Sequence, residues 1–187
     1  MTFSNEWERR YVENTNMSIW PWSDLVSFVK RYTNYSLKLN VLELGTGAGA
    51  NIPFFLSLNS NYFGIEGSPT IVKMLKDKFP NLRKNIIADD FTVSIPFEEN
   101  FDLIIDRSSI THNTSKGIRN CLRLINKKLN KGGKFIGIDW FSTIHSEFKN
   151  GIIEDSSNNN ISWRINTYSD SNKFLKVSVT TGKGHVS

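Results

Sequence analysis

The stretch over residues 41–49 constrains the fold of this chain more than any other. It reads Val-Leu-Glu-Leu-Gly-Thr-Gly-Ala-Gly, so a mostly apolar segment runs directly into three alternating glycines. An apolar run of this kind is typical of a strand buried in a parallel sheet, and glycines permit a tight turn and a close approach of the backbone to a ligand. Beyond them, Asn51 is expected to cap a short helix that has Phe54, Phe55 and Leu58 on its apolar face. The stretch therefore predicts a strand, a ligand-binding glycine loop and a helix.

The carboxylate of Glu43 separates two interpretations of this loop. Residues 45–50 also fit the dinucleotide fingerprint G-x-G-x-x-G/A, which is typical of nicotinamide-dependent oxidoreductases. A carboxylate two residues before the first glycine repels a pyrophosphate, whereas it suits a ligand that carries an ammonium group nearby. Glu43 therefore favours a ligand that carries an ammonium group over a dinucleotide.

Composition restricts the class of protein. The 187 residues are 39% hydrophobic and 12% aromatic, which suits one globular domain with a full core. No apolar run approaches the roughly 18 residues that span a bilayer, and the first residues lack the features of a signal peptide. We therefore expect a cytoplasmic protein without a membrane partner. The single cysteine, Cys121, falls on the apolar stripe of a predicted helix and is expected to be a core thiol.

The net charge of +5 raises the question of a nucleic-acid partner. The basic residues are dispersed along the chain, and they are not interleaved with aromatic residues as in RNA-reading proteins. A solvated surface rich in lysine and asparagine accounts for the charge. No nucleic-acid partner is favoured.

Acidic residues follow further predicted strands at their carboxyl ends. The strands are expected at residues 62–65, before Glu66, at residues 86–88, before Asp89 and Asp90, and at residues 101–105, before Asp106. In open α/β sheets, residues beyond the carboxyl ends of the strands face the crevice where ligands bind. An acidic side chain at the end of the second strand can accept hydrogen bonds from both hydroxyls of a ribose, so Glu66 is predicted to bind a nucleoside.

Taken in order, these segments resemble a class I S-adenosylmethionine-dependent methyltransferase. The resemblance rests on residues 43–49, Glu66, Asp90 with Phe91, the strand end at Asp106 and residues 131–135. It extends over residues 39–140, just over half of the chain. It implies a doubly wound α/β fold with a mostly parallel, Rossmann-like sheet, strand order 3-2-1-4-5, and flanking helices. It also implies S-adenosylmethionine as cofactor and methyl transfer to O or N of a small-molecule acceptor.

The resemblance also implies which residues hold the cofactor. They are Glu43, Gly45, Thr46, Gly47, Gly49, Glu66, Asp90, Phe91, Asp106 and Arg107. Asp90 is placed near the exocyclic amine of adenine, with Asp89 as its alternative, and Phe91 is placed beside the ring. One or two of Tyr11, Trp20 and Trp22 are candidates to cover the sulfonium, because an aromatic face attracts a cation.

His112, after the fourth strand, is the candidate catalytic residue. Its neutral imidazole can take a proton from a hydroxyl or amine near pH 7, and the alternative is a histidine that only holds this loop. Arg107 either binds an anionic group of the substrate or pairs with Asp106, and the pairing is favoured slightly. Asp106 and Asp139 have no clear third oxygen ligand beside them, so no metal site is predicted.

We expect a single methyltransferase domain over residues 1–187. It comprises an aromatic-rich helical cap (1–38), with Ser23 capping its second helix, a cofactor-binding core (39–140) and a loop and hairpin extension (141–187). A helix from Thr114 or Ser115 is expected to end at Gly132 and Gly133, before a fifth strand over residues 134–140.

The last part of the chain is expected to be shortened. Residues 161–167 and 174–180 are predicted to pair as a hairpin, and the final helix and strands usual in this class appear to be missing. Strand five is then an apolar edge that favours self-association. In the alternative, the hairpin docks beside strand five and closes the sheet.

Two other functions are weighed against methyl transfer. An NAD(P)-dependent oxidoreductase shares the glycine loop and Glu66, but Glu43 and the acid after strand three argue against it. A non-catalytic module that binds S-adenosylmethionine or a nucleoside on the same fold is the second alternative.

Overall fold

The computed structural model describes residues 5–15 and 17–139 and the backbone of three short strands beyond them. The helices are α1 (Asn5–Val12), α2 (Ser23–Tyr32), α3 (Ile52–Ser57), α4 (Pro69–Lys78) and α5 (Ser115–Lys128). The strands are β1 (Asn40–Leu44), β2 (Asn61–Glu66), β3 (Ile86–Ala88), β4 (Phe101–Arg107), β5 (Leu129–Ile138), β6 (Ile153–Asp155), β7 (Asn160–Ile161) and β8 (Ser178–Thr181). Single 3-10 turns occur at Pro80–Leu82 and Ile110–His112.

The main sheet has the order β3-β2-β1-β4-β5-β8, and its first five strands are parallel. The predicted order 3-2-1-4-5 is therefore confirmed. Leu44, the last residue of β1, pairs with Ile65 on one side and Asp106 on the other, and Glu66 pairs with Ala88. The carboxyl ends of four strands thus meet along one edge of the sheet, where side chains that follow them converge.

The prediction that β5 is an uncovered edge is wrong. β8 pairs with it in antiparallel sense, with Phe135 opposite Thr180. An edge strand presents a row of N–H and C=O groups that a further strand can satisfy, and here a strand of the same chain does so. The expected self-association through this edge loses its basis.

The predicted hairpin is also revised. Residue 161 lies in β7, which pairs with β6, whereas residues 178–180 lie in β8. The remaining positions of that hairpin, 162–167 and 174–177, lie outside the described residues, as does Trp140 at the end of the predicted fifth strand.

Two apolar clusters cover the two faces of the sheet. Alternate residues of a strand point to opposite faces, so Val41 packs with α2, α3 and α4, whereas Leu42 packs with α5. Cys121 lies fully buried in the second cluster, which confirms its predicted core position. None of the helices in the described part of the chain has the length and apolarity that a membrane crossing requires.

Two helices are capped by side chains, and α5 begins at the predicted position. The Thr114 hydroxyl accepts a hydrogen bond from the Gly117 N–H at 3.1 Å, and the Ser68 hydroxyl accepts one from the Ile71 N–H at 3.1 Å. Such bonds satisfy backbone donors that have no partner inside the helix.

Three other expectations about helix ends are wrong. Trp22, rather than Ser23, occupies the cap position of α2, and Asn51 precedes α3 without a capping hydrogen bond from its side chain. The Asn51 amide is engaged by two other partners in the site described below. The glycine pair does not end α5, because the helix stops at Lys128 and the pair lies inside β5, where Gly132 has a φ of +81°.

Candidate functional site

A cavity of about 580 Å³ opens at the carboxyl ends of β1 to β4. The segments that line it are the glycine loop after β1, the ends of β2, β3 and β4, the turn at Ile110–His112 and parts of α1 and of residues 17–22. It lies where the topology predicts a ligand. Of the predicted cofactor residues it is lined by Glu43, Gly45, Thr46, Gly47, Glu66, Asp90, Phe91 and Arg107.

The glycines of the loop are required for different structural reasons. Gly45 and Gly47 have φ values of +71° and +49°, in the left-handed region that side chains disfavour. A Cβ on Gly45 would lie 2.0 Å from the Ser109 hydroxyl, so packing alone excludes a side chain there. A Cβ on Gly47 would meet, among the described residues, only the Tyr11 hydroxyl at 3.4 Å. Gly45 therefore packs the loop against the β4 side, and Gly47 keeps the cavity floor open.

Glu66 fixes the glycine loop to β2. One carboxylate oxygen accepts the Gly47 N–H at 2.7 Å, and the other accepts the Ser68 N–H at 3.0 Å. The side chain is buried apart from 4% of its surface, and this burial raises the pKa of Glu66. The sequence predicted Glu66 as a ligand residue but gave no sign of its bond to the loop, which depends on the pairing of β1 with β2.

Glu43 is buried at the back of the loop. Its two oxygens accept hydrogen bonds from the Asn51 amide at 2.7 Å and from the Tyr62 hydroxyl at 2.6 Å. Burial raises the pKa of Glu43 to about 7, although both hydrogen bonds oppose that rise. The Asn51 carbonyl also accepts the Trp22 N–H at 3.3 Å. Asn51 therefore ties Glu43 to the segment that covers the cavity, which is why it does not cap α3.

The two acids after β3 both line the cavity, as does Phe91. One oxygen of Asp90 accepts hydrogen bonds from the N–H and the hydroxyl of Thr92, at 2.9 and 2.6 Å. Asp89 accepts the Asp90 N–H at 2.7 Å and the Ser94 hydroxyl at 3.0 Å. The two side chains are held equally well, so the geometry leaves both open as ligands of an adenine.

Asp106 and Arg107 differ from their predicted roles. Asp106 is fully buried, accepts the N–H groups of Ser109 and Ile110, and is not among the described residues that line the cavity. Arg107 lines the cavity and pairs with Asp139 at 2.5 Å, so the expected pair with Asp106 is wrong. Successive residues of a strand point to opposite faces, which separates these neighbours.

Aromatic side chains from α1 and from residues 17–22 form the roof of the cavity. Tyr11 and Trp22 line it, whereas Trp20 is 77% exposed and is not among the described lining residues. Trp7 also lines it, with its ring centroid 5.5 Å from that of His112. Trp7 was not among the residues predicted for the site, although its spacing of four residues from Tyr11 puts both on one face of a helix.

The helix α1 is fastened over the cavity at a second point. The Glu8 carboxylate accepts a hydrogen bond from the Thr70 hydroxyl at the start of α4.

His112 lies on the opposite wall, in the 3-10 turn after β4, where it faces both the cavity and Trp7. This position suits either predicted role, proton acceptor or loop support. Groups of three or more acidic, histidine or cysteine side chains suited to a metal ion do not occur in the described part of the chain.

A family model described as a methyltransferase domain matches residues 41–133, from β1 into β5. A curated relative, an uncharacterized methyltransferase of Alkaliphilus oremlandii (strain OhILAs), is 29% identical over 98 residues. The aligned region covers 52% of this chain and 44% of that relative.

Solved structures share the fold at low sequence identity. The glycopeptide N-methyltransferase MtfA is 22% identical with a TM-score of 0.53, over 62% of this chain and 51% of its own, and it has also been solved with S-adenosylmethionine and with S-adenosyl-L-homocysteine. DesVI of Streptomyces venezuelae is 16% identical with a TM-score of 0.56, over 66% of this chain and 52% of its own. The chain thus spans about half the length of these structures and less than half of the curated relative.

The family match covers the parallel strands that carry the cavity, and the solved structures align over the same kind of sheet. Residues 41–133 thus match a methyltransferase domain, and the sheet that carries the cavity has the Rossmann-like fold of the solved methyltransferases.

Proposed function

We propose that this protein binds S-adenosylmethionine in the cavity and transfers its methyl group to O or N of a small-molecule acceptor. The observation that carries the proposal is the convergence of the glycine loop, Glu43, Glu66 and Asp90 in one cavity. A volume of about 580 Å³ is in the range of small-molecule sites. The likeness to a glycopeptide N-methyltransferase solved with this cofactor supports the same assignment.

The residues present fit such a cofactor. The oxygens of Glu66 accept the backbone N–H groups of Gly47 and Ser68, and the Gly67 N–H is a further donor to this carboxylate. A carboxylate has about four acceptor positions, so the side chain can still accept a hydrogen bond from the ribose. Gly47 leaves room for the amino acid part of the ligand, and Glu43 offers a carboxylate to its ammonium group. Asp89 or Asp90 would accept the adenine amine, with Phe91 beside the ring.

The remaining lining residues suit the methyl acceptor. S-adenosylmethionine supplies, when bound, a methyl group activated by its sulfonium. The methyl carbon would pass to an oxygen or nitrogen of the acceptor, and the cofactor would leave as S-adenosylhomocysteine with the electron pair of the broken carbon–sulfur bond. His112 would take the proton that the acceptor loses, and Trp7 and Trp22 would hold water away from the reacting atoms.

Thermal unfolding with three ligands tests the proposal. We expect S-adenosylmethionine and S-adenosylhomocysteine to raise the midpoint, by roughly 5–11 °C at about 100 times the dissociation constant. NAD should leave it unchanged, because four carboxylates line the cavity and repel a pyrophosphate. A midpoint raised by NAD and by neither of the other ligands would instead indicate the oxidoreductase. Binding without methyl transfer to any metabolite of a cell extract would indicate the non-catalytic module.

The role of His112 is tested by turnover. With an acceptor identified by transfer of a labelled methyl group, His112→Ala should lower kcat by about 100-fold or more, with the affinity for S-adenosylhomocysteine almost unchanged. Asn113→Ala is the matched control, because Asn113 lines the same wall and carries no group that accepts a proton near neutral pH. Equal turnover in wild type and His112→Ala would assign His112 to loop support.

A further inference from the structure

Arg107 is an isolated cation in an acidic cavity. The lining includes the carboxylates of Glu43, Glu66, Asp89 and Asp90, and within the described residues it includes no other lysine or arginine. A negatively charged group that enters this cavity is repelled by four side chains and attracted by one. The position of Arg107 therefore fixes where an anion can bind.

The guanidinium of Arg107 is held on two sides. Its Nη2 lies 2.5 Å from an Asp139 oxygen, and its central carbon lies 3.5 Å from the centroid of the Trp22 ring. The backbone N–H of Trp22 donates a hydrogen bond to the side-chain carbonyl of Asn51, which holds Trp22 in position. An arginine that is stacked and paired in this way presents its remaining N–H groups in a fixed plane. Arg107 is thus preorganised rather than free to swing in solvent, with 22% of its side chain exposed.

The backbone is bent to bring this pair together. Ser108 and Asp139 follow β4 and β5 directly, and both adopt a left-handed conformation, with φ values of +60° and +58°. The Ser108 N–H donates to the Ile138 carbonyl at 2.9 Å, which joins the two strand ends. Conformations of this kind are costly for residues other than glycine and concentrate at functional sites.

Arg107 has donor capacity that Asp139 does not use. A guanidinium carries five N–H donors, and the contact with Asp139 is made at Nη2, so the other terminal nitrogen of the partly exposed side chain retains its two N–H groups for a ligand. A second carboxylate would supply acceptors that one aspartate does not.

The pair also lies on a particular side of the cavity. β5 is on the opposite side of β4 from β1, and Asp139 at its end draws the guanidinium in that direction. The residues proposed for the cofactor lie at the carboxyl ends of β1 and β2, in the glycine loop and directly after β3. The anion position is thus displaced toward the part of the cavity that the cofactor does not use, beside the Trp22 ring.

We propose that Arg107 binds a carboxylate of the methyl acceptor, so that the acceptor is a small organic acid with an apolar or aromatic body against Trp22. This inference rests on the proposed function, since it divides the cavity between cofactor and acceptor. Asp139 and Trp22 act as positioning residues that hold the guanidinium. The cofactor also carries a carboxylate, so the test distinguishes the two sources.

The test uses protein saturated with S-adenosylhomocysteine and the probe pair benzoate and benzamide, which differ mainly in charge. Benzoate should bind at least about tenfold more tightly than benzamide, because charge-assisted hydrogen bonds are the stronger kind. Arg107→Met should abolish this preference, and Arg107→Lys should restore part of it. An absent preference in the wild type, or one that survives in Arg107→Met, would overturn the assignment.

Asp139→Asn supplies an independent variant in case Arg107→Met does not fold. It keeps the shape of the side chain but removes the resident negative charge, so benzoate affinity should rise severalfold. A purely structural pair predicts no such gain, and that result would contradict the proposal.

A carboxylate bound by Arg107 could belong to the cofactor instead of the acceptor. The nucleoside 5′-methylthioadenosine tests this, because it lacks the amino acid part of the cofactor. Suppose that Arg107→Met lowered the affinity for S-adenosylhomocysteine by tenfold or more and left the affinity for methylthioadenosine unchanged. Arg107 would then bind the cofactor carboxylate, and the proposal would be wrong. Failure of wild-type protein to bind either nucleoside would instead overturn the proposed function itself.

Discussion

Glu66→Ala is expected to weaken the binding of S-adenosylhomocysteine at least about tenfold. The reason is twofold. The substitution removes a charged acceptor for the ribose, worth about 1.5–3 kcal/mol for each hydrogen bond, and it releases the Gly47 N–H that holds the glycine loop. Calorimetric titration of wild type and variant measures the effect.

Asp102→Ala is the matched control for Glu66→Ala. Asp102 is also a carboxylate with two hydrogen bonds, from the Asn40 N–H at 2.9 Å and the Asn130 amide at 2.7 Å, but it is not among the described residues that line the cavity. The Asp102→Ala variant should have a lower free energy of unfolding and an unchanged affinity for the ligand. If Glu66→Ala bound the ligand as tightly as Asp102→Ala, the carboxylate of Glu66 would have no part in the site.

The strands of the parallel sheet were predictable because their signals are local, whereas their order was implied by the resemblance to the methyltransferase family. Each parallel strand is a short apolar run, and in β1 to β4 a glycine or an acid directly follows it, so the run and its functional end are read together. Glu43 and Glu66 were identified in this way, and both line the cavity.

The partners of these residues were not predictable, because they depend on long-range pairing. Asp139 is distant from Arg107 in sequence and reaches it only because Arg107 and Ile138 are paired between β4 and β5. Tyr62 and Asn51 meet Glu43 for the same reason, across β2 and α3. A spacing rule for one helix or strand contains no information on such contacts.

The end of the sheet shows a different difficulty. The sequence showed β5 as an apolar edge that either stays open or is covered by a docked hairpin, and in the structure β8, which overlaps the second arm of that hairpin, covers the edge. A short antiparallel strand carries little signal of its own, since its pairing depends on the partner strand more than on its own residues.

Glu43 should make the protein less stable at pH 8 than at pH 5. Its pKa is raised from 4.5 to about 7 by burial, so the folded state keeps a proton that the unfolded state loses above about pH 4.5. Stability therefore falls as the pH rises from about 4.5 to about 7, and it falls no further above that range. The full cost is about 3 kcal/mol, at about 1.4 kcal/mol for each unit of pKa difference.

Glu43→Gln isolates this contribution, because the burial of Glu66 and Asp139 raises the pKa of those groups in both proteins. Urea unfolding at pH 5 and pH 8 should show wild type losing about 2–3 kcal/mol more than the variant between the two values. An ammonium group bound beside Glu43 would lower its pKa again, so the affinity of wild type for S-adenosylhomocysteine should rise between pH 6 and pH 7.5 by about threefold or more, and that of the variant should rise less. Parallel stability curves for the two proteins would show that Glu43 is ionised in the folded state throughout this range, and the argument from its burial would be wrong.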